Sequence, residues 1–310
     1  MEKVIITGVA GFIGSNLAKD LISRGHNVVG FDNLQSGKVR QIENLDFEFI
    51  NYDISNPDFA KVKSLKSADR IYHLAADVDN RFSMETPSQM LSSNINSTLN
   101  VGLAAKLNDI QEIVYASTGT IYGDNPNPPF PENTEFSNQT TLYGATKYAG
   151  ESLLAVFSNQ YGISVSAFRF VGVLGPGYTH GHIFDFVKQL RSEPKRLQVL
   201  GDGNQRKSYV NVKDLIGAIT RPVNRGFHTY NLGRSDFSTV RDSVEWIVDS
   251  LKLNPVIEYG TTPYGWLGDN YFLQLDNSKL IATGWVPKYS IEESVRETVY
   301  WLTQNPWVFD

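Results

Sequence analysis

Val4-Ile5-Ile6-Thr7-Gly8-Val9-Ala10-Gly11-Phe12-Ile13-Gly14 opens this chain with an apolar run, a glycine turn and the start of an amphipathic stretch. The order predicts a strand over 3–7, a tight turn and a helix over 12–24. Gly8, Gly11 and Gly14 let the backbone turn sharply and approach a ligand closely. The helix that follows offers backbone N–H groups and the positive end of its dipole to an anion. A dinucleotide pyrophosphate needs that chemistry. The spacing is G-x-x-G-x-x-G, not the better-known G-x-G-x-x-G, so the glycines alone decide little. Two further features add to them. Asn27-Val28-Val29-Gly30-Phe31 reads as a second strand, and Asp32 stands at its end. A carboxylate there accepts hydrogen bonds from the adenosine ribose and repels the extra phosphate of NADP. A plain strand–helix turn with a surface aspartate is the alternative.

Outward from this motif, strands are predicted at 47–50, 69–74, 110–116 and 163–168, and helices at 57–66, 87–107 and 142–161. Alternation of this kind predicts βαβ units and an α/β fold, a doubly wound parallel sheet covered on both faces. The two longest helices exceed what a crossover needs. Their apolar faces suit packing in a homodimer, although burial within the fold explains them equally well. Beyond about residue 170 the pattern loosens. Gly175-Pro176-Gly177 breaks the chain, Gly201-Asp202-Gly203-Asn204 makes a turn, and Pro255, Pro263, Gly265 and Gly268 punctuate an irregular stretch. Short helices are predicted at 183–192, 212–220, 239–251 and 290–303, the last opened by Ser290 and Glu293 at capping-box spacing. His228-Thr229-Tyr230-Asn231-Leu232 is predicted to return to the main sheet. The expected organisation is a nucleotide-binding domain over 1–170 plus about 210–235. A smaller, discontinuous α/β substrate lobe over about 171–209 and 236–310 completes it, with a ligand cleft between lobes.

The 310 residues are 41% hydrophobic and 20% charged, which suits a globular enzyme. A net charge of −5 argues against nucleic acid as a partner. With no cysteine, disulfides, thiolate metal sites and cysteine nucleophiles are excluded. Among five histidines only His180 and His182 are close, flanking Gly181, and they read as loop residues; no metal is expected. No apolar run reaches the ~20 residues of a membrane helix. The first residues run straight into the glycine motif, so no secretory leader is expected and the cytoplasm is the expected location.

The sharpest chemical signal is Tyr143-Gly144-Ala145-Thr146-Lys147. Four residues apart at the head of a helix, Tyr143 and Lys147 share a face. A phenol is a poor base at neutral pH, but an adjacent ammonium and a positively charged nicotinamide favour the phenolate. The pair suits removal of a proton from a sugar or alcohol hydroxyl while the carbon is oxidised, with Lys147 also bonding the nicotinamide ribose. A surface aromatic–lysine pair is the alternative. Upstream, Ile113-Val114-Tyr115 ends in Ala116-Ser117-Thr118-Gly119-Thr120. Strand carboxyl ends face the ligand crevice in such sheets, so hydroxyls there can bond a substrate oxygen and relay its proton to Tyr143. A polar turn capped by Ser and Thr is the bland reading.

These motifs make the chain resemble an extended short-chain dehydrogenase/reductase of the nucleotide-sugar epimerase and dehydratase group, over essentially its whole length. Phe31-Asp32-Asn33-Leu34, Tyr52-Asp53-Ile54, His73-Leu74-Ala75-Ala76, Asn94 with Thr98, Gly201-Asp202-Gly203-Asn204-Gln205 and Thr283-Gly284-Trp285-Val286-Pro287 carry the resemblance further. It implies a Rossmann-type sheet and NAD as cofactor. The NAD site would draw on Gly8, Gly11, Phe12, Ile13 and Gly14, on Asp32 and Asn33, and on Asp53 and Ile54 around the adenine. Leu74, Ala75 and Ala76 would line it, Asn94 would lie against it, and Ser117, Tyr143 and Lys147 would complete it. His73 is then a strand residue, not a base. Gln205, Arg206 and Lys207 would approach the diphosphate of a nucleotide sugar; a solvated basic turn is their alternative.

Dehydratases of the group resemble Thr-Asp-Glu where this chain has Thr118-Gly119-Thr120, and related decarboxylases keep an acid at the position of Thr120. Both acids are missing here. Epimerases carry small residues there, so the resemblance implies a 4-epimerase with Tyr143, Lys147 and Thr118 as catalytic residues. Its substrate, held by Thr118 and Tyr143 as well, would be a UDP-sugar of the glucose/galactose type, epimerised through a transient 4-keto sugar. Two positions depart from the group: Gly172 replaces the Asn of Arg-x-x-Asn, and Tyr264-Gly265-Trp266-Leu267-Gly268-Asp269 lacks the usual Arg. A dehydratase, a decarboxylase or a keto-sugar reductase on the same fold, or a non-enzymatic nucleotide sensor, are the rivals.

Overall fold

The computed structural model describes residues 1–78, 84–263 and 272–310. The expectations attached to Tyr264, Gly265, Trp266, Leu267, Gly268 and Asp269 lie outside the described residues. In chain order the elements are β1 (Lys3–Thr7), α1 (Phe12–Ser23), β2 (Asn27–Asp32), β3 (Glu48–Asn51), β4 (Arg70–His73), α2 (Pro87–Leu91), α3 (Ser97–Leu107), β5 (Glu112–Thr118), α4 (Leu142–Tyr161), β6 (Ser164–Phe170) and β7 (Gly172–Leu174). There follow α5 (His182–Ser192), β8 (Arg196–Val199), β9 (Arg206–Lys207), β10 (Tyr209–Asn211), α6 (Val212–Ile219), β11 (Phe227–Leu232), β12 (Ser238–Thr239), α7 (Val240–Leu251), β13 (Val256–Tyr259), β14 (Phe272–Leu273), α8 (Ser278–Ile281) and α9 (Ile291–Gln304).

Seven strands form one sheet in the order β11-β6-β5-β4-β1-β2-β3, a Rossmann-type arrangement. Pairing from β3 across to β6 is parallel throughout. The chain builds outward from β1 to β3, then returns to lay β4 against the other side of β1. Order reverses between β1 and β4, the crevice where α/β sheets take their ligands. Thr7 stands in register with Phe31 on one side and His73 on the other, so the turns after β1, β2 and β4 open at one edge. Covered on both faces, the central strands are nearly continuous apolar runs. Ile5, Val29, Phe31, Ile71, Ile113 and Val165 pack with Val101 and Ala104 of α3 and Leu154 and Phe157 of α4. Gly102 allows that close approach, since a Cβ there would lie 2.3 Å from the Phe157 ring.

Two predicted helices differ in detail. The stretch 57–66 forms two 3-10 turns, Pro57–Lys61 and Lys63–Leu65, because Val62 between them is extended. The long helix predicted over 87–107 is interrupted by a π turn at Ser92–Asn96 between α2 and α3. Its extra residue turns Asn94 into the interior, where the side chain is 1% exposed. The predicted strand at 228–232 joins the sheet as β11 beside β6.

The chain divides into two compact units. The first comprises Met1–Asn125, Glu132–Phe170 and Ile216–Asn231; the second comprises Pro126–Pro131, Val171–Leu215 and Leu232–Asp310. The second has its own core of α5, α7 and α9, with parallel pairs β7/β10 and β8/β13 and a small sheet in which β9 lies between β12 and β14. Capping boxes start α7 at Thr239 and Asp242 and α9 at Ser290 and Glu293, each satisfying backbone donors that a helix start leaves open. The motif at 283–287 is structural: Trp285 Nε1 donates to the Asp214 carbonyl, and the Asp214 carboxylate accepts from Lys288 and Tyr289 N–H. Among the described residues, no helix is long and apolar enough to cross a membrane.

Candidate active site

The turn after β1 is bare backbone held under constraint. Gly8 has φ +74, and a Cβ there would lie 2.7 Å from Ala75 N, directly across the reversal point. A Cβ on Gly14 would fall 2.0 Å from the Gly8 carbonyl oxygen. Phe12 and Ile13 begin α1, and Gly11 caps it without a side-chain hydrogen bond. The helix therefore points its positive end into the crevice, as a pyrophosphate requires. Leu74 and Ala75 close the opposite wall: Leu74 N donates to the Thr7 carbonyl, and Ala75 N lies 3.3 Å from Thr7 Oγ1. Ala76 follows, half-buried.

Asp32 is buried at the end of β2. One carboxylate oxygen accepts from Ala10 N at 2.9 Å and the other from Leu34 N at 2.8 Å, which locks the glycine turn against β2. Burial raises its carboxyl above the usual range, and the two N–H groups oppose that rise. Asn33 is exposed and accepts from Gln35 N. Asp53 is exposed in a turn after β3, where it accepts from Ser55 N. The Ile54 carbonyl is held by Asn100 Nδ2 at 2.9 Å. Turn, carboxylate and bare helix start fit a dinucleotide with an unphosphorylated ribose.

Asn94 acts through its neighbours. Its Oδ1 accepts from Asp77 N at 2.8 Å, while Nδ2 donates to the Asp77 carbonyl and to Thr146 Oγ1. It thereby ties the loop after β4 to α4. His73 is buried with Nδ1 2.9 Å from Thr7 Oγ1 and Nε2 2.9 Å from Thr98 Oγ1, and burial drives it well below the ordinary histidine range. It is a neutral strand residue.

Thr141 starts α4, its hydroxyl accepting from Gly144 N. Tyr143 and Lys147 follow on one face. Tyr143 lies beside Thr118 at the end of β5, whose side chain tempers the rise that burial imposes on the phenol, and Thr118 Oγ1 is 3.0 Å from Thr120 Oγ1. Two linked hydroxyls thus stand beside the phenol. Lys147 is 1% exposed, with Nζ 4.2 Å from the centre of the Tyr115 ring. Gly150 makes room for that ring, since a Cβ there would lie 2.2 Å from Tyr115 Oη. Burial pushes Tyr143 up to about 12, with the Thr118 side chain pulling back. It pushes Lys147 down to about 7, opposed by Glu151. Lys147 and a positively charged nicotinamide together are expected to draw Tyr143 toward its phenolate, and burial acts against the charged form of both side chains.

Ser117 is fully buried and donates to Glu151 Oε1 at 2.5 Å. Glu151 also takes two bonds from Arg169, Nε to Oε1 at 2.9 Å and Nη2 to Oε2 at 2.7 Å. Arg169 Nη1 continues to Tyr122 Oη and to the Glu132 carbonyl, and Tyr122 Oη donates to Asn231 Oδ1. Sequence reasoning missed this network. The available signal was Glu151 four residues past Lys147, which puts Tyr143, Lys147 and Glu151 on one stripe.

Gln205, Arg206 and Lys207 lie in the second unit. Gln205 is buried and its Oε1 has no hydrogen-bond partner among the described residues. The exposed Arg206 guanidinium lies 4.9 Å from the Phe237 ring centre and 5.6 Å from that of Phe272. Lys207 is half-buried on β9. In the same unit, Gly172 is paired with Tyr209, whose ring would lie 2.6 Å from a Cβ at 172. That explains why the position carries no side chain. His182 begins α5, with Nδ1 3.1 Å from Tyr209 Oη.

Residues 4–233 match the NAD dependent epimerase/dehydratase family. The chain is 30% identical over 309 residues to a UDP-glucose 4-epimerase of Mycolicibacterium smegmatis, covering 96% of this chain and 97% of the relative. It is 30% identical over 332 residues to a UDP-glucuronate 4-epimerase of Thermodesulfobacterium geofontis, covering 98% and 97%. The crystal structure of a UDP-galactose 4-epimerase superposes with TM-score 0.88 at 32% identity, covering 98% of this chain and all of that one.

Proposed function

Because the chain belongs to the NAD-dependent epimerase/dehydratase family, we propose that it inverts the C4 hydroxyl of a UDP-sugar of the glucose/galactose type. The observation that carries this reading is the Thr118-Gly119-Thr120 segment at the end of β5, where two hydroxyls 3.0 Å apart stand beside the buried Tyr143 and no carboxylate is present. Elimination of water needs an acid and a base in that segment, and hydroxyl groups supply neither.

The glycine turn with Phe12 and Ile13 would hold the NAD pyrophosphate on the start of α1, and Asp32 and Asn33 the adenosine ribose. Asp53 and Ile54 would flank the adenine, and Leu74, Ala75 and Ala76 would line the crevice. Asn94 and Ser117 would act from behind, through the loop after β4 and through α4. NAD, when bound, supplies reversible two-electron oxidation of the C4 carbinol to a ketone. Tyr143 takes the 4-hydroxyl proton directly or through Thr118, and returns it after the sugar has presented its other face. Lys147 bonds the nicotinamide ribose and adds positive charge beside the phenol. For the diphosphate we assign Arg206 and Lys207, with Gln205 beside them. Loss and return of the same proton and electron pair leaves no net redox change. Names of the relatives, UDP-glucose and UDP-glucuronate 4-epimerases, support a UDP-sugar.

Exposed Leu99, Leu103 and Leu107 on α3, with Tyr148 and Val156 on α4, support a homodimer through that face.

Proton NMR of the anomeric signals tests the reaction. With UDP-galactose and catalytic NAD, UDP-glucose is expected to appear up to a fixed ratio with no build-up of NADH. Net consumption of NADH by a keto sugar, without epimer exchange, would instead establish a reductase.

A further inference from the structure

Glu151 has no place in the proton path, yet it is the most heavily bonded carboxylate near it. It sits one helical turn past Lys147 on α4, on the stripe that carries Tyr143. Three donors converge on it: Ser117 Oγ at 2.5 Å, Arg169 Nε at 2.9 Å and Arg169 Nη2 at 2.7 Å. Glu151 and Arg169 are each about 3% exposed. A buried ion pair is weak evidence for stability, because desolvation offsets the attraction, so its presence calls for a use. Here the pair is oriented. The carboxylate lies on Lys147's own helix, while the guanidinium reaches it from β6 and is fixed behind by Tyr122 Oη and the Glu132 carbonyl. The negative end of the pair is therefore nearest α4.

We propose that Glu151, oriented by Arg169 and anchored to Ser117, is a positioning residue that sets a negative charge one helical turn from buried Lys147 and holds their helix in register with Thr118 at the end of β5. The proposal rests on the reading of Lys147 as the cation of the site. Among the described residues, the groups beside Lys147 from neighbouring strands are the Tyr115 ring of β5, 4.2 Å from Nζ, and neutral His73 of β4. Burial works against its charge, and Glu151 is the group that opposes this. Serine at 117, next to Thr118, makes the strand end and the helix stripe a single hydrogen-bonded body.

The test reads Lys147 directly. Full-length protein carrying lysine labelled with 13C at Cε is titrated by NMR, and the Lys147 signal is identified by its loss in Lys147→Met. Glu151→Gln removes the nearer negative charge and should lower the Lys147 midpoint by about 1 unit. Arg169→Met leaves Glu151 uncompensated and should raise it. Shifts of opposite sign support the proposal, because a merely structural role moves both variants the same way or neither. Shifts of one sign, or none, overturn it. Should either single variant fail to fold, Glu151→Met/Arg169→Met removes both charges together. The nearer charge still dominates, so the midpoint falls; an unchanged midpoint overturns the proposal. No sugar turnover enters this readout. A protein inert toward UDP-sugars with opposed Lys147 shifts would remove the proposed reaction and leave this inference standing.

Discussion

Alanine at position 14 should damage the protein where a helix rule says it should help. Gly14 lies inside α1, and replacing an internal helical glycine by alanine ordinarily stabilises by about 1 kcal/mol. Here the new Cβ would stand 2.0 Å from the Gly8 oxygen and 2.8 Å from the Gly8 carbonyl carbon and from Val9 Cα. Backbone is on both sides, so relief requires α1 to move roughly 1 Å from the glycine turn. Overpacking of this kind costs about 1–3 kcal/mol, which offsets or exceeds the propensity gain. On the proposed NAD site, movement of the helix start would also misplace the donors meant for the pyrophosphate, and one charge-assisted hydrogen bond is worth about 1.5–3 kcal/mol, or roughly tenfold or more in affinity. Gly217→Ala is the control, because that residue lies in α6 with open space around its would-be Cβ. Thermal melts and NAD titrations of the two variants check the argument. Gly14→Ala should melt at or below the wild type and bind NAD at least about tenfold more weakly, whereas Gly217→Ala should melt slightly higher with NAD affinity intact. A Gly14→Ala protein as stable as Gly217→Ala, with undiminished NAD affinity, would refute the reasoning from backbone approach.

Tyr143→Phe should lower epimerisation by about 10²–10⁴-fold while NAD still binds, measured by turnover and by cofactor titration. Lys147→Met should abolish turnover yet raise the melting temperature of the cofactor-free protein near pH 7. Burial moves the lysine from 10.5 down to about 7, so between those values the unfolded chain binds the extra proton and stability from this group rises with pH. The advantage of Lys147→Met is therefore largest at pH 7 and below, on the order of a few kcal/mol, and fades by about pH 10. A constant gap across pH in the melts would contradict this. Leu103→Glu, in the exposed stripe of α3, should convert dimers to monomers in sedimentation velocity; a monomeric wild type would dispose of the dimer.

Much of the first unit was legible in the chain because its signals are local. Alternating apolar runs mark β1, β2, β5 and β6 within a residue or two of where they lie, and α4 spans Leu142–Tyr161 as the periodicity predicts. Gly8, with its positive φ, and Ser290 with Glu293 are local signals of the same kind. Prediction failed where a local rule met a tertiary demand. The helix over 87–107 gives way to a π turn because Asn94 must reach Asp77 and Thr146, and periodicity cannot register that need.

Residue types and spacings by themselves determined the fold class, the glycine turn between β1 and α1, the place of Asp32 at the end of β2 and the shared helical stripe of Tyr143 and Lys147 at the start of α4. Each of these follows from backbone sterics or from a helical or strand period within a few neighbouring positions. Only the tertiary structure decided which buried polar groups meet. Ser117 finds Glu151, Glu151 finds Arg169, and His73 finds Thr7 and Thr98 because β5 lies between β4 and β6 with α4 packed on it. Tertiary structure also set the protonation of the site, since Tyr143 and Lys147 move in opposite directions under burial. Desolvation depends on everything packed around a group, and a linear pattern records only its neighbours along the chain.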